Sequence, residues 1–171
     1  PAAEYVVRKL CFECYPGDWI PALLYEPVKR RGPLPVMLNP EGHCPGGNAA
    51  AYKQIRCANL ARRGVLALSV EFTGMGQMEA ERHGFQAMLN LTGQAGVGIF
   101  YLALKKGLDI LLDHPQADPQ RVGVTGLSGG GWQTIVISSL DERVTLSVPV
   151  AGYTSMQGRV ECHLPNDIGD L

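Results

Sequence analysis

The run from Val122 to Gly131 constrains the fold more than any other part of this chain. It reads Val-Gly-Val-Thr-Gly-Leu-Ser-Gly-Gly-Gly and contains the pattern Gly-x-Ser-x-Gly, centred on Ser128. A short apolar strand precedes the serine, and a helix-compatible stretch, Trp132 to Leu140, follows it. A strand that turns through glycines into a helix is typical of a nucleophile elbow, which exposes the serine hydroxyl at its tip. Side chains at Gly126 or Gly130 would collide with neighbouring backbone, so we predict a strained turn with Ser128 as the nucleophile.

Strands and helices are predicted to alternate along the chain. In order, they are a hairpin of 4–14 and 19–26, a strand at 34–39, a helix at 49–63, a strand at 65–72, a helix at 95–114, the elbow strand, a helix at 130–140 and a strand at 144–150. This alternation predicts a mostly parallel, doubly wound α/β sheet that begins with an antiparallel hairpin. Residues 77–93 have a helical composition interrupted by glycine, and we expect Arg82 and His83 to face solvent in a helix there.

Three glycine-bearing loops follow predicted strands, after Asn39, after Phe72 and around Ser128. The carboxyl ends of parallel strands meet at one edge of the sheet, and ligands bind outside that edge. The candidate substrate contacts there are Cys44 in the loop after Asn39, Glu71 and Thr73 at the next strand end, Trp132 after the elbow and Tyr153 after the last strand. For Trp132, packing in the core is the alternative and the one its size favours.

Composition excludes several classes of partner. The chain has 171 residues, is 46% hydrophobic and 18% charged, and carries a formal net charge of −1. Its longest basic run is Lys29-Arg30-Arg31, which is too small a cluster to predict binding to nucleic acid or an anionic membrane. The Cys11-x-x-Cys14 pair lies in a predicted strand, where residues three apart point to opposite faces. We therefore expect no structural metal and no organic cofactor.

The chain resembles the α/β-hydrolase superfamily, and within it the acetyl xylan esterase and dienelactone-hydrolase-like branch. That branch is also similar to the catalytic domains of prolyl oligopeptidases. The resemblance is carried by residues 18–27, by Glu41-Gly42-His43 and by residues 118–131, and it extends over nearly the whole chain. It implies one α/β-hydrolase domain over residues 1–171, with the C-terminal part of that domain missing.

The resemblance also implies where the oxyanion of an acyl transfer reaction is bound. The backbone N–H of Gly129, directly after the nucleophile, is one donor, and losing such a donor costs about 3 kcal/mol of transition-state stabilisation. The second donor is expected from the loop after the strand at 34–39, at the N–H of His43, with Cys44 next in line. Because the superfamily commonly has His-Gly-x where this chain has Glu41-Gly42-His43, an exposed loop histidine is the alternative for His43.

The general base is harder to place. In this superfamily the order along the chain is serine, acid, histidine. After Ser128 the sequence contains one histidine, His163, and Glu161 is only two residues from it. That spacing does not suit an acid and a base on separate loops. We therefore expect a fragment whose acid and histidine lie beyond Leu171.

The resulting prediction is a serine esterase that cleaves a small carboxylic ester, such as an acetyl group on a carbohydrate, through an acyl-enzyme on Ser128. Its only expected partner is the small-molecule ester. Two alternatives remain open at this point. One is a serine peptidase of the prolyl oligopeptidase type, and the other is a catalytically inactive binding protein with a hydrolase fold.

Overall fold

A computed structural model describes residues 4–29, 31–152, 155, 157 and 161. The strands within these residues are β1 (Tyr5–Tyr15), β2 (Asp18–Pro27), β3 (Leu34–Pro40), β4 (Leu66–Val70), β5 (Ala117–Leu127) and β6 (Leu146–Val150). They form one sheet in the order β1-β2-β4-β3-β5-β6. The α-helices that pack on this sheet are α1 (Ala51–Arg62), α2 (Gly96–Leu112) and α3 (Gly129–Leu140).

The sheet combines a hairpin with a parallel layer. Strands β1 and β2 pair antiparallel, and β2 also pairs antiparallel with β4. Strand β3 lies between β4 and β5 and is parallel to both, and β6 adds to β5 in the same direction. The hairpin closes at Gly17, whose φ of 88° suits glycine and whose N–H donates to the Glu13 carboxylate. The predicted mostly parallel sheet with an N-terminal hairpin is confirmed.

Helices cover both faces of the sheet. On one face, α2 and α3 pack on the apolar side chains of β3, β4 and β5, among them Leu38, Leu68 and Val124. On the other face, α1 packs on Ala67 and Tyr25. Leu66, Ala67 and Leu68 of β4 alternate between the two clusters, as expected for a strand buried on both sides. This arrangement confirms the doubly wound architecture.

The segment between β4 and α2, for which the sequence was ambiguous, is helical but not α-helical. It forms two 3-10 helical segments, Gly76–Glu81 and His83–Thr92. They meet at Arg82, whose φ of 46° interrupts the helical backbone. Within the residues that the structure describes, no helix is both long and apolar enough to cross a membrane.

The two sides of the parallel layer differ in burial. All five residues of β4 are buried, whereas all five residues of β6 are exposed. Strand β5 lies between the buried strands and the exposed β6, and it ends at Leu127, just before Ser128. Because β3, β4 and β5 run in the same direction, the loops that follow them lie at one edge of the sheet, where the candidate site is found.

Candidate active site

Ser128 is exposed between the end of β5 and the start of α3. Its φ of 58° and ψ of −120° place it in a region that residues other than glycine rarely adopt. Its N–H donates to the Val150 carbonyl at 2.8 Å, and its carbonyl accepts the N–H of Trp132 at 2.9 Å. The strained backbone is therefore held from both sides, and the side chain is directed out of the turn.

The glycines around Ser128 allow backbone segments to pack closely. A Cβ atom at Gly126 would lie 2.9 Å from the Cα of Gly130. A Cβ at Gly130 would lie 2.5 Å from the carbonyl oxygen of Pro40, and one at Gly131 would lie 2.6 Å from that of Val150. Real Cβ atoms do not approach so closely. The predicted collisions at Gly126 and Gly130 are confirmed, because the elbow packs on β3 and on its own helix.

The loop after β3 lies directly against the elbow. A Cβ at Gly42 would lie 2.6 Å from the Leu127 carbonyl oxygen and 3.2 Å from the backbone nitrogen of Gly129. The imidazole of His43 borders Gly129, since a Cβ there would lie 2.8 Å from its Nδ1. The structure thus brings Gly129 and His43 together beside Ser128. That their backbone N–H groups bind an oxyanion remains a prediction.

A buried carboxylate anchors this loop. Both Glu41 and Lys53 have side chains that are 1% exposed, and Lys53 Nζ lies 3.1 Å from the Glu41 carboxylate. Arg56 pairs with the same carboxylate at 3.2 Å, and the Ser69 hydroxyl donates to it at 2.6 Å. Burial raises the pKa of the Glu41 carboxyl, and Arg56, Lys53 and Ser69 each oppose that increase. Burying a carboxylate is costly unless cations and donors surround it, and here they do.

The same residues hold the backbone of the loop. Lys53 Nζ donates to the Gly42 carbonyl at 3.2 Å, and Gln133 Nε2 of α3 donates to the Glu41 carbonyl at 2.6 Å. The loop is therefore attached to α1, β4 and α3 at once. Sequence reasoning did not identify Lys53 or Gln133, because nothing in a helical pattern marks a lysine that points inward.

Glu71 holds the loops after β3 and β4 together. Its carboxylate accepts the backbone N–H of Asn48 at 3.0 Å, that of Phe72 at 3.3 Å and that of Gln77. Burial raises the pKa of the Glu71 carboxyl, and these backbone donors partly oppose the increase. Glycines at 47 and 76, both with positive φ, let the two loops approach the carboxylate. The predicted contact of Glu71 with substrate remains a prediction, while its role in holding the loops is visible.

The prediction for His83 is wrong. This histidine is 6% exposed rather than solvent-facing, although the neighbouring Arg82 is exposed as expected. Its Nδ1 lies 3.1 Å from the Thr73 carbonyl oxygen, and its Nε2 lies 2.9 Å from Nε2 of His43. The segment folds as two 3-10 turns that return to the site rather than as one surface helix. The chain can pass this close to His83 because residue 74 is a glycine, with a φ of 83° and no side chain.

The remaining predicted residues are distributed as follows. Thr73 is 5% exposed, and its carbonyl binds His83. Cys44 is half-buried, and its carbonyl accepts the Gly47 N–H at 2.8 Å. Trp132 is half-buried in the first turn of α3. Tyr153 lies outside the described residues, as does His163. Substrate contact by Cys44, Thr73, Trp132 and Tyr153 remains a prediction.

The described residues include three histidines, two of which lie at this edge. His114 is at the opposite edge, ahead of β5, where it lies 3.9 Å from the Glu26 carboxylate. Across the described ranges, no group of three or more His, Cys, Asp or Glu side chains is arranged to hold a metal ion.

A mostly parallel sheet, a strained serine between a strand and a helix, and a loop packed against that turn define an α/β-hydrolase. The sequence pattern of the acetyl xylan esterase family (AXE1) matches residues 2–164, and the chain belongs to this family.

Individual relatives agree with that assignment. The curated protein "Putative hydrolase YtaP" of Bacillus subtilis (strain 168) is 26% identical over 157 residues, which cover 85% of this chain. The structure of "Methylesterase BT1017" is 26% identical, with a TM-score of 0.75 over 88% of this chain and 33% of its own. Acetyl Xylan Esterase 1 from Thermoanaerobacterium sp. JW/SL YS485 shares the fold, with 21% identity and a TM-score of 0.71 over 98% of this chain and 55% of its own. The chain spans about half, 52%, of the length of the curated relative.

Proposed function

We propose that this protein is a serine esterase that cleaves small carboxylic esters of the acetyl type, with Ser128 as the nucleophile. The observation that carries the proposal is the exposed, strained Ser128 at the carboxyl edge of β5, in a chain of the acetyl xylan esterase family. An acetyl group on a carbohydrate is the substrate that family membership favours.

The proposed reaction has two steps. Ser128 Oγ attacks the ester carbonyl carbon, its proton passes to a general base, and the alcohol leaves with that proton. Water then attacks the carbonyl carbon of the acyl-enzyme and gives a proton to the base. The bond from that carbon to Ser128 Oγ breaks, Oγ takes the proton from the base, and the carboxylic acid leaves. Backbone N–H groups of Gly129 and His43 would bind the oxyanion in both steps. We propose that the histidine and acid of the triad come from outside residues 4–152.

The structure supports this mechanism through preorganisation. Oxyanion donors are effective only if they are fixed before the charge develops. The loop that contains His43 is attached to three elements through Glu41 and Lys53, and Gly129 begins a helix whose N-terminal end favours negative charge. Both proposed donors therefore lie on backbone that is hydrogen-bonded to, or begins in, a neighbouring element.

The test is covalent labelling of the full-length protein by a fluorophosphonate probe, together with hydrolysis of p-nitrophenyl acetate. We expect Ser128→Ala to abolish labelling and to lower kcat by at least about 10³-fold. The matched control is Ser139→Ala, on an exposed position of α3, which should leave both unchanged. Peptide cleavage without ester cleavage would instead favour a peptidase, and an unlabelled wild-type protein would indicate a binding protein.

A further inference from the structure

The two proposed oxyanion donors, the backbone N–H groups of Gly129 and His43, differ in what fixes their direction. In a trans peptide the N–H points opposite to the carbonyl of the preceding residue. The partner of that carbonyl therefore sets the direction of the donor. For Gly129 the carbonyl belongs to Ser128 and accepts the N–H of Trp132 at 2.9 Å, which is the ordinary first hydrogen bond of α3.

The corresponding carbonyl for His43 belongs to Gly42, and its partner is a side chain. Lys53 Nζ donates to this carbonyl at 3.2 Å in a buried contact, so the N–H of His43 is directed away from Lys53. The peptide lies beside the elbow, because a Cβ at Gly42 would lie 3.2 Å from the Gly129 nitrogen. It lies outside the helices and strands, and a glycine before it lowers the steric barrier to its rotation. Its orientation therefore depends on Lys53.

The ammonium of Lys53 is itself fixed by the carboxylate of Glu41. Both side chains are 1% exposed, and Nζ lies 3.1 Å from the carboxylate. An ammonium has three N–H groups, so one can bind the carboxylate while another binds the carbonyl. Gln133 of α3 donates to the carbonyl of Glu41, so two consecutive carbonyls of the loop are bound by side chains of two different helices. Rotation of the next peptide would leave a buried N–H of Lys53 unsatisfied, which is costly.

We propose that Lys53 is a positioning residue of the oxyanion site, which orients the peptide between Gly42 and His43 so that the His43 N–H faces the reacting carbonyl. This inference rests on the proposed esterase function and adds a residue to it. Lys53 acts through the peptide, because its contacts are with Glu41 and the Gly42 carbonyl. The ammonium also polarises that peptide, which makes the opposite N–H a stronger donor to the developing charge.

Lys53→Met and Arg56→Met form the matched pair that tests the proposal on the full-length protein. Each removes one of the two cations beside Glu41, but of the two it is Lys53 that donates to the Gly42 carbonyl. The kcat for p-nitrophenyl acetate, counted per site that the fluorophosphonate probe titrates, should fall about 10²-fold in Lys53→Met. The KM should change little, because the lost interaction belongs to the transition state. The fall of kcat in Arg56→Met should be at least about 10-fold smaller.

A second variant guards against loss of folding in Lys53→Met. Glu41→Gln/Lys53→Met removes both buried ions together, so no unpaired charge is left by the change at residue 53. Its kcat should fall about as far as that of Lys53→Met, because the donor to the Gly42 carbonyl is again absent. Lys53→Arg keeps a cation with N–H donors at this position and should restore part of the lost kcat.

A thiono ester distinguishes positioning of a donor from a general loss of structure. Sulfur accepts hydrogen bonds more weakly than oxygen, so an oxyanion site favours an ester with C=O over the same ester with C=S. This preference is the ratio of kcat/KM for p-nitrophenyl acetate and O-(p-nitrophenyl) thioacetate. We expect the ratio to fall about 10-fold in Lys53→Met and to stay near the wild-type value in Arg56→Met. A merely structural role would lower kcat/KM for both esters equally.

Two results would overturn the inference. One is an equal fall of kcat in Lys53→Met and Arg56→Met, and the other is a wild-type preference for oxygen in folded Lys53→Met or Glu41→Gln/Lys53→Met. If the wild-type protein is labelled by the probe and hydrolyses the ester, either result refutes this inference alone. A wild-type protein that is neither labelled nor active refutes the proposed function as well.

Discussion

Glu41 and Glu71 occupy equivalent positions on neighbouring strands, but the protein stabilises them in different ways. Each directly follows one member of the paired residues Pro40 and Val70, at the ends of parallel strands β3 and β4. Both carboxylates are buried. Glu41 is surrounded by two cations and a hydroxyl, whereas Glu71 is held by backbone N–H groups.

The difference shows how one edge of a sheet can hold two loops with different chemistry. The ionic partners of Glu41 come from α1, so the loop of the proposed oxyanion site is attached to a helix. The partners of Glu71 come from the two loops themselves, which close around the carboxylate. The first loop should therefore depend on charge, and the second on close backbone approach.

The largest expected effect is removal of the cation beside Glu41. Lys53→Met leaves this carboxylate with one of its two cations and should lower the free energy of unfolding by about 3–5 kcal/mol. Urea denaturation followed by circular dichroism measures the change. Arg62→Met, at an exposed pair with Glu4, is the control and should cost less than about 1 kcal/mol. Equal losses of unfolding free energy in Lys53→Met and Arg62→Met would refute the idea that the loop at Glu41 depends on charge.

A smaller effect is expected at the second loop. Gly47 has a φ of 52°, and a Cβ there would lie 2.5 Å from a carboxylate oxygen of Glu71. Gly64 also has a positive φ, of 83°, but its Cβ would meet nothing within 4 Å. Gly47→Ala should therefore destabilise the fold by about 1–2 kcal/mol more than Gly64→Ala. In a protein that also carries Glu71→Ala, Gly47→Ala should cost no more stability than Gly64→Ala. A larger cost that persists there would contradict a collision between residue 47 and the Glu71 carboxylate.

The smallest effect concerns pH. The folded state raises the pKa of Glu71 above its ordinary value of 4.5, chiefly through burial. The stability linked to this group is therefore fully present below pH 4.5 and is lost as the pH rises through the folded pKa. In Glu71→Gln, which cannot ionise, this decrease in stability above pH 4.5 should be smaller than in wild type. Denaturation curves across that range measure it, with the exposed Glu142→Gln as the control. If the free energy of unfolding of Glu71→Gln fell with pH as steeply as that of wild type, Glu71 would not be the group responsible.

Much of the fold could be predicted because its signals are local. The β1–β2 hairpin follows from two apolar strands around a turn at Gly17, and β4 from its continuous apolar run. The two 3-10 segments between β4 and α2 were not predicted. Their backbone direction changes at Arg82, and no periodicity in the sequence signals that change.

The candidate site likewise contains some residues that the sequence predicts and others that it does not. Ser128 is recognisable because the strand, the glycines and the helix are contiguous, and each glycine is required by a contact within the turn or with β3. Lys53 and His83 are not recognisable, because their partners are distant in the sequence. His43 and His83 are 40 positions apart, and an isolated histidine in a polar stretch looks like a surface residue.

The sequence by itself determined the parallel architecture and the position of the nucleophile, since both depend on short-range apolar patterns and on the steric freedom of glycine. Only the tertiary structure decided which polar groups turn inward: Lys53 toward Glu41, backbone amides toward Glu71 and His83 toward His43. The physical reason is that burial of a polar group is stable only when its partner is present. That partner is supplied by another element of the fold.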